Sequence, residues 1–265
     1  MQSSTALEAV LKRDRLIVLG GLVGITALAW AYTGYLTWEM GHMAMGMNMA
    51  MAMPHMQTWG LMDLVLLFSM WTVMMIAMMV PSTAPMILMF TTINRRRQAQ
   101  QQPYVPTTIF LGGYLLVWIG FSVLAMLAQW GLHSTALLSS MMVSTSPILG
   151  GLVLLAAGSF QWTPLKYTCL TRCRSPLGFL MTDWREGPRG ALIMGLRHGM
   201  YCVGCCWFLM ALLFVAGVMN LLWVAAIAAF VLAEKVVPRG DLVGRVAGGG
   251  LVVAGLAMLG QALVT

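Results

Sequence analysis

The chain has 265 residues, of which 60% are hydrophobic and only 9% charged, with a formal net charge of +7 and a mean hydropathy of +0.83. So much apolar sequence exceeds what a soluble core of this length requires. The positive charge lies in short runs between apolar segments, with no basic domain interleaved with stacked aromatics, which excludes nucleic-acid binding.

A helix needs roughly 20 apolar residues to cross the bilayer's hydrocarbon core, where the backbone must satisfy its own hydrogen bonds. About seven such runs are expected, or six at the least. They are bounded by Leu16 and Leu36, Leu61 and Val80, Val105 and Trp130, Ile148 and Trp162, Ala191 and Met219, Leu221 and Val237, and Leu242 and Val264. The predicted fold class is an all-α, polytopic transmembrane helical bundle, forming a single integral membrane domain over 1–265. Trp38, Trp59, Trp130, Trp162 and Trp223 fall near run ends, where an amphipathic ring sits at headgroup level.

The first run follows Lys12, Arg13 and Arg15 and is too long for a cleaved signal peptide, so it is expected to span. The segment after it, 37–60, contains no Lys or Arg and is predicted to be an extracytoplasmic loop. It holds Met40, Met43, Met45, Met47, Met49, Met51, Met53 and Met56, with His42 and His55 among them. A thioether is a neutral, soft donor that resists disulfide formation, so this loop suits capture of copper(I) or silver(I) on an oxidising face, and the imidazoles suit copper(II). A flexible segment that leans on the membrane through adaptable Met side chains is the alternative.

In the second run, Met70, Met74 and Met78 recur at helical spacing, with Met75 and Met79 on an adjoining line. A stripe of thioethers can pass a soft monovalent ion inward by ligand exchange, although ordinary helix packing explains the same spacing. Pro81 and Pro85 follow, and the apolar pattern continues to Phe90, so the helix is expected to run on past them as a kinked helix. Asp63, at the outer end of this run, is a functional candidate or an interfacial hydrogen-bonding group. Arg95, Arg96 and Arg97 fill the next connection. The third loop, 131–146, again lacks Lys and Arg, and its lone His133 reads as a polar loop residue.

All five cysteines lie in two places. Cys169 and Cys173 are one helical turn apart if the chain after Trp162 is helical. In the fifth run His198, Cys202 and Cys206 fall at i, i+4 and i+8 with Cys205 beside them, so soft and borderline donors converge on one helical patch. Lys166, Arg172, Arg174, Arg185 and Arg189 surround these clusters, and Arg239 lies in the last connection. Basic residues thus alternate from loop to loop, which predicts an inside N-terminus and places the cysteines in the reducing, cytoplasmic half. Thiolates there bind copper(I), zinc or another soft metal, while small cysteines that let helices approach are the plain alternative. Arg197 is expected to favour thiolate or to pair with a carboxylate, and Glu234 to serve as a partner or hard ligand. Gly248, Gly249 and Gly250 mark helix packing, not phosphate binding. The fifth and sixth runs, separated only by Val218, Met219 and Asn220 in this division, are expected to form a tight antiparallel hairpin.

These donors predict an integral membrane protein that handles a soft metal ion, first copper(I), for uptake or for delivery to a copper enzyme. Expected partners are the lipid bilayer, the metal ion and a copper chaperone or copper enzyme. No acid and base pair specifies a reaction, so a non-enzymatic role is favoured. A membrane thiol-disulfide electron relay and a metal-dependent membrane oxidoreductase are the other readings. The relay leaves the methionine loop unexplained.

Three strings are distinctive: MWTVMMIAMMVPS from Met70 to Ser82, QWTPLKYTCLTRCRSP from Gln161 to Pro176, and GMYCVGCCWFLMALLFVAGVMN from Gly199 to Asn220. In these the chain, from about Leu61 to its end, resembles a bacterial family of predicted metal-binding integral membrane proteins, a domain family of unknown function. The resemblance implies a multi-pass protein of the bacterial inner (cytoplasmic) membrane with Cys169, Cys173, Cys202, Cys205 and Cys206 as ligands. It does not reach the methionine loop.

Overall fold

The computed structural model describes residues 2–47, 60–134 and 146–264, with side chains for 13–39, 60–134 and 146–263. Met49, Met51, Met53, His55, Met56 and Trp59 lie outside the described residues. The rest is all α, as the apolar runs require. In chain order the helices are α1 (Gln2–Met47), α2 (Leu61–Ala99), α3 (Thr107–Ser134), α4 (Pro147–Phe160), α5 (Pro164–Arg174), α6 (Pro176–Asp183), α7 (Gly187–Ala211), α8 (Leu213–Ala216), α9 (Leu221–Val236) and α10 (Gly240–Val264).

Among the described residues, five helices are long and apolar enough to cross a membrane: α1, α2, α3, α7 continued through α8, and α10. The pair α4 and α5, bent by 63° between them, makes a sixth if it counts as one broken span. Seven is therefore too many. The run from Leu221 forms only 16 helical residues, a rise of about 24 Å against a hydrocarbon core of about 30 Å.

The expected hairpin of the fifth and sixth runs does not form either. The chain leaves α7 at Ala211, makes the short α8 and turns through Gly217, whose φ of +96° suits glycine. From there α9 packs chiefly on α2 and α10 and only marginally on α7.

The first helix extends beyond its apolar run to Met47, so Met40, His42, Met43, Met45 and Met47 are helical where a loop was expected. Met and Ala are strong helix formers, and no proline interrupts them before Pro54. The second helix passes through Pro81 and Pro85 to Ala99 without a break. Pro81 has no N–H for the Ala77 carbonyl one turn back, and Trp30 Nε1 of α1 donates to that carbonyl at 3.0 Å. The carbonyl freed by the proline thus becomes a docking point for α1.

The closest packing is between α3 and α7. A Cβ on Gly113 would stand 3.0 Å from the Leu196 nitrogen, and one on Gly195 would stand 3.0 Å from the Phe110 carbonyl carbon and 3.1 Å from the Tyr114 nitrogen. Small residues let the two backbones touch. A second such pair joins α4 to α10, where a Cβ on Gly158 would stand 2.7 Å from the Gly248 carbonyl oxygen. Of the three adjacent glycines only Gly248 makes the expected close contact, since Gly249 has only the Trp162 ring at 4.0 Å and Gly250 faces open space.

Ion pairs gather the basic connections at one end of the bundle. Arg95 pairs with Asp14, Arg97 with Glu186 and Arg197 with Asp183. Arg174 reaches Asp241 at 3.5 Å and donates to the Val237 and Pro238 carbonyls at 2.6 and 2.7 Å. The N-terminal part of α1, the end of α2, the links around α5 to α7 and the α9 to α10 turn are thereby held together.

Gly195→Val places side-chain carbons against the α3 backbone, and overpacking of this kind costs about 1 to 3 kcal/mol. The expected outcome is a fall of several degrees in the apparent unfolding temperature of the detergent-purified protein. Gly250→Ala, in open space, is expected to leave that temperature unchanged or slightly raised.

Candidate metal centre

Pro164 fits the first turn of α5, and the Thr163 hydroxyl caps it by accepting from the Lys166 amide at 3.3 Å. The helix so started places Cys169 and Cys173 one turn apart, both buried. In α7, His198, Cys202, Cys205 and Cys206 are buried on the face predicted from their spacing.

The packing of α5 on α7 brings all five thiols together. At Gly204 a Cβ would stand 2.8 Å from Cys169 Sγ, so the glycine makes the room that this thiol occupies. Cys173 lies within side-chain hydrogen-bonding reach of Cys202 and Cys205, and Cys202 of Cys206. The Cys205 and Cys206 thiols also donate to the Cys202 carbonyl, at 3.1 and 2.9 Å. All five are free thiols.

Cys202, fully buried, is the hub. Lys235 of α9 places Nζ 2.9 Å from its sulfur and donates to Ser82 Oγ of α2 at 2.9 Å. The Tyr114 hydroxyl of α3 is 3.2 Å from the same sulfur and 3.1 Å from the Met79 carbonyl. Helices α2, α3, α5, α7 and α9 therefore all reach the thiol cluster. A buried ammonium beside sulfur offsets the negative charge of a thiolate in an apolar interior.

The thioether stripe is contiguous with this cluster. Met70, Met74, Met75, Met78 and Met79 are buried and share one core with the five cysteines. His198 is separated by its surroundings: its ring stacks on Tyr114 with centroids 5.7 Å apart and meets Phe179 edge-on at 5.5 Å. Its Nδ1 is buried without a hydrogen-bond partner among the described residues. Among the described residues, no three His, Cys, Asp or Glu side chains stand in an arrangement that could hold a metal ion. Instead the Cys205 and Cys206 thiols donate to the backbone, and the Cys202 sulfur meets Lys235 and Tyr114.

The other candidates have structural partners. Asp63 accepts from the Gly60 amide at 2.9 Å and caps α2. Arg197 pairs with Asp183 away from the sulfurs, so the cation at the cluster is Lys235. Glu234 is held by Lys166 at 2.6 Å, with both side chains almost fully buried, and Gln161 also accepts from Lys166. His133 stands in the last turn of α3. Lys235 was not among the sequence candidates, although an ionisable group inside an apolar run is itself a signal. Tyr114, Ser82 and Gly204 carried no signal, because their roles depend on helix contacts distant in sequence.

No curated protein and no solved structure is significantly similar to the chain. A family model described as PpoB2, copper chaperone, matches residues 68–258. That stretch contains the thioether stripe, all five cysteines, Lys235 and the three distinctive strings. It agrees with the resemblance those strings carry. A soft-donor core and a match over most of its length lead to one assignment: the chain belongs to the PpoB2 copper chaperone family.

Proposed function

We propose that the chain is an integral membrane protein that binds copper(I) at Cys202, Cys205, Cys206, Cys173 and Cys169 for delivery to a copper enzyme or for uptake. The observation that carries this reading is the convergence of five thiols in a dry core continuous with a row of thioethers. Thiolates and thioethers are the soft ligands that select a monovalent, soft ion, and zinc is the less suited alternative. In this scheme Met40, His42, Met43, Met45, Met47, Met49, Met51, Met53, His55 and Met56 collect the ion outside. Met70, Met74 and Met78 pass it inward, and the thiols hold it, with His198 as a nearby imidazole.

The sidedness rests on the basic connections gathered at one end, taken as the cytoplasmic end of a multi-pass protein of the bacterial inner membrane. Five or six helices of spanning length support integration. The single-domain organisation over 1–265, with the methionine segment outside, belongs to the same proposal.

Replacing Cys202, Cys205 and Cys206 together by Ser is expected to lower copper retained after chelator washing by at least about tenfold, the effect of losing about 1.4 kcal/mol of binding. Elemental analysis of purified protein checks it, and equal copper in both forms removes the site. Changing the methionines and histidines of 40–56 to Leu and Gln is expected to spare retention at high copper while reducing loading at low copper.

The electron-relay reading makes a different prediction, because paired thiols would cycle through a disulfide. Thiol trapping in growing cells is expected to find all five cysteines reduced. Accumulated disulfide between Cys173 and Cys202 or Cys205 would decide for the relay.

A further inference from the structure

Beside the bend between α4 and α5 the bundle opens a cavity of about 280 Å³. Its wall carries Gln161 at the bend, Lys166 and Tyr167 of α5, Glu234 of α9, and Asp241 and Arg245 of α10. Gly244 keeps it open, because a Cβ there would collide with Glu234 Oε1.

The most telling group is Gln161, which is 5% exposed. Its Oε1 accepts from Lys166 Nζ, and its Nε2 is buried with no hydrogen-bond partner among the described residues. A buried amide donor without an acceptor marks a place for an incoming one. Of the charged groups in the wall, Lys166 pairs with Glu234 and Asp241 with Arg174, which leaves Arg245 as the cation without an ion pair among the described residues. A guanidinium and an amide donor suit a ligand that carries a carboxylate.

The same wall borders the thiols. On α5, Lys166, Leu170 and Cys173 fall at i, i+4 and i+7 on one face, and the cavity reaches Leu170. On α9, Glu234 faces the cavity while its neighbour Lys235 touches Cys202. Copper(I) held by sulfur moves by exchange with an incoming soft ligand, one copper–sulfur bond forming as another breaks.

We infer that this cavity binds a small carboxylate-bearing thiol of the cysteinyl-peptide class, which takes copper(I) from the cysteine cluster. The inference rests on the proposed function of that cluster. In the transfer the carrier's thiol loses its proton as its sulfur bonds the ion, and the departing cysteine thiolate takes up a proton. Copper stays monovalent, so no oxidant or reductant is consumed.

The test uses the full chain in lipid nanodiscs, with reduced glutathione and its S-methyl derivative as probes, followed by calorimetric titration. Both probes are expected to bind the metal-free protein saturably at about millimolar concentration or below. Arg245→Glu, at an exposed side chain, is expected to weaken both by about tenfold, while Arg239→Glu, exposed and outside the cavity, leaves them unchanged. From copper(I)-loaded protein, glutathione is expected to remove the ion, S-methyl glutathione not to, and Arg245→Glu to slow removal by a similar factor. Absence of saturable binding, an unaffected Arg245→Glu variant, or equal weakening by Arg239→Glu would overturn the inference. Cys202→Ser separates the two proposals: it is expected to keep peptide binding while losing copper, and peptide binding by a wild-type chain that retains no copper would sink the cluster's function alone.

Discussion

The contact of the α3 and α7 backbones at Gly113 and Gly195 is the constraint on which the rest depends. Where lipid tails are as apolar as the side chains, helices associate through close packing and hydrogen bonds rather than through expulsion of water. Two glycines facing each other bring the helix axes near enough for Tyr114 to reach Cys202 one to two turns further along. With that face of α7 occupied, its thiols turn toward α5, α9 and the middle of α2. Gly204 then repeats the device on a smaller scale by admitting Cys169.

The buried polar groups follow a consistent economy. Lys166 and Glu234 neutralise each other with Gln161 as a third partner, and Lys235 is held by a hydroxyl and a sulfur. Charges in an apolar interior are tolerated only when compensated. Adjacent residues on α9 thus serve two environments, Glu234 the cavity and Lys235 the buried thiol cluster. The short helix, held at the basic end by Arg174 contacts, connects the two.

Much of this was legible in the chain itself. Span length and composition foretold an all-α bundle, and helical spacing foretold the buried faces of α2 and α7, because both are local properties of one segment. The span count ran high because an apolar run of adequate length can still form a helix too short to cross, as α9 does. The helical extension of α1 to Met47 was missed because the end of the apolar run and the lack of Lys and Arg over 37–60 were taken for a loop, while the propensity of Met and Ala pointed the other way. At the site, the donors were visible and their company was not. Arg197, next to His198 in sequence, drew attention as the cation, but it leaves toward Asp183, and the ammonium comes from another helix altogether. Contacts between helices are set by crossing geometry, which a linear pattern does not encode.

The hydrogen bond from Trp30 to the carbonyl left free by Pro81 gives the molecule a modular character. The first helix buries little of its apolar surface, and the copper chaperone match begins only at residue 68, inside α2. The chain can be viewed as a core with fixed tolerances and a docked arm that carries the methionine-rich tip. Within the core a single added methyl group at Gly195 is felt across two helices. On the arm, most of the described side chains over 13–39 face outward, so its sequence is held less tightly than that of the helices around the thiol cluster.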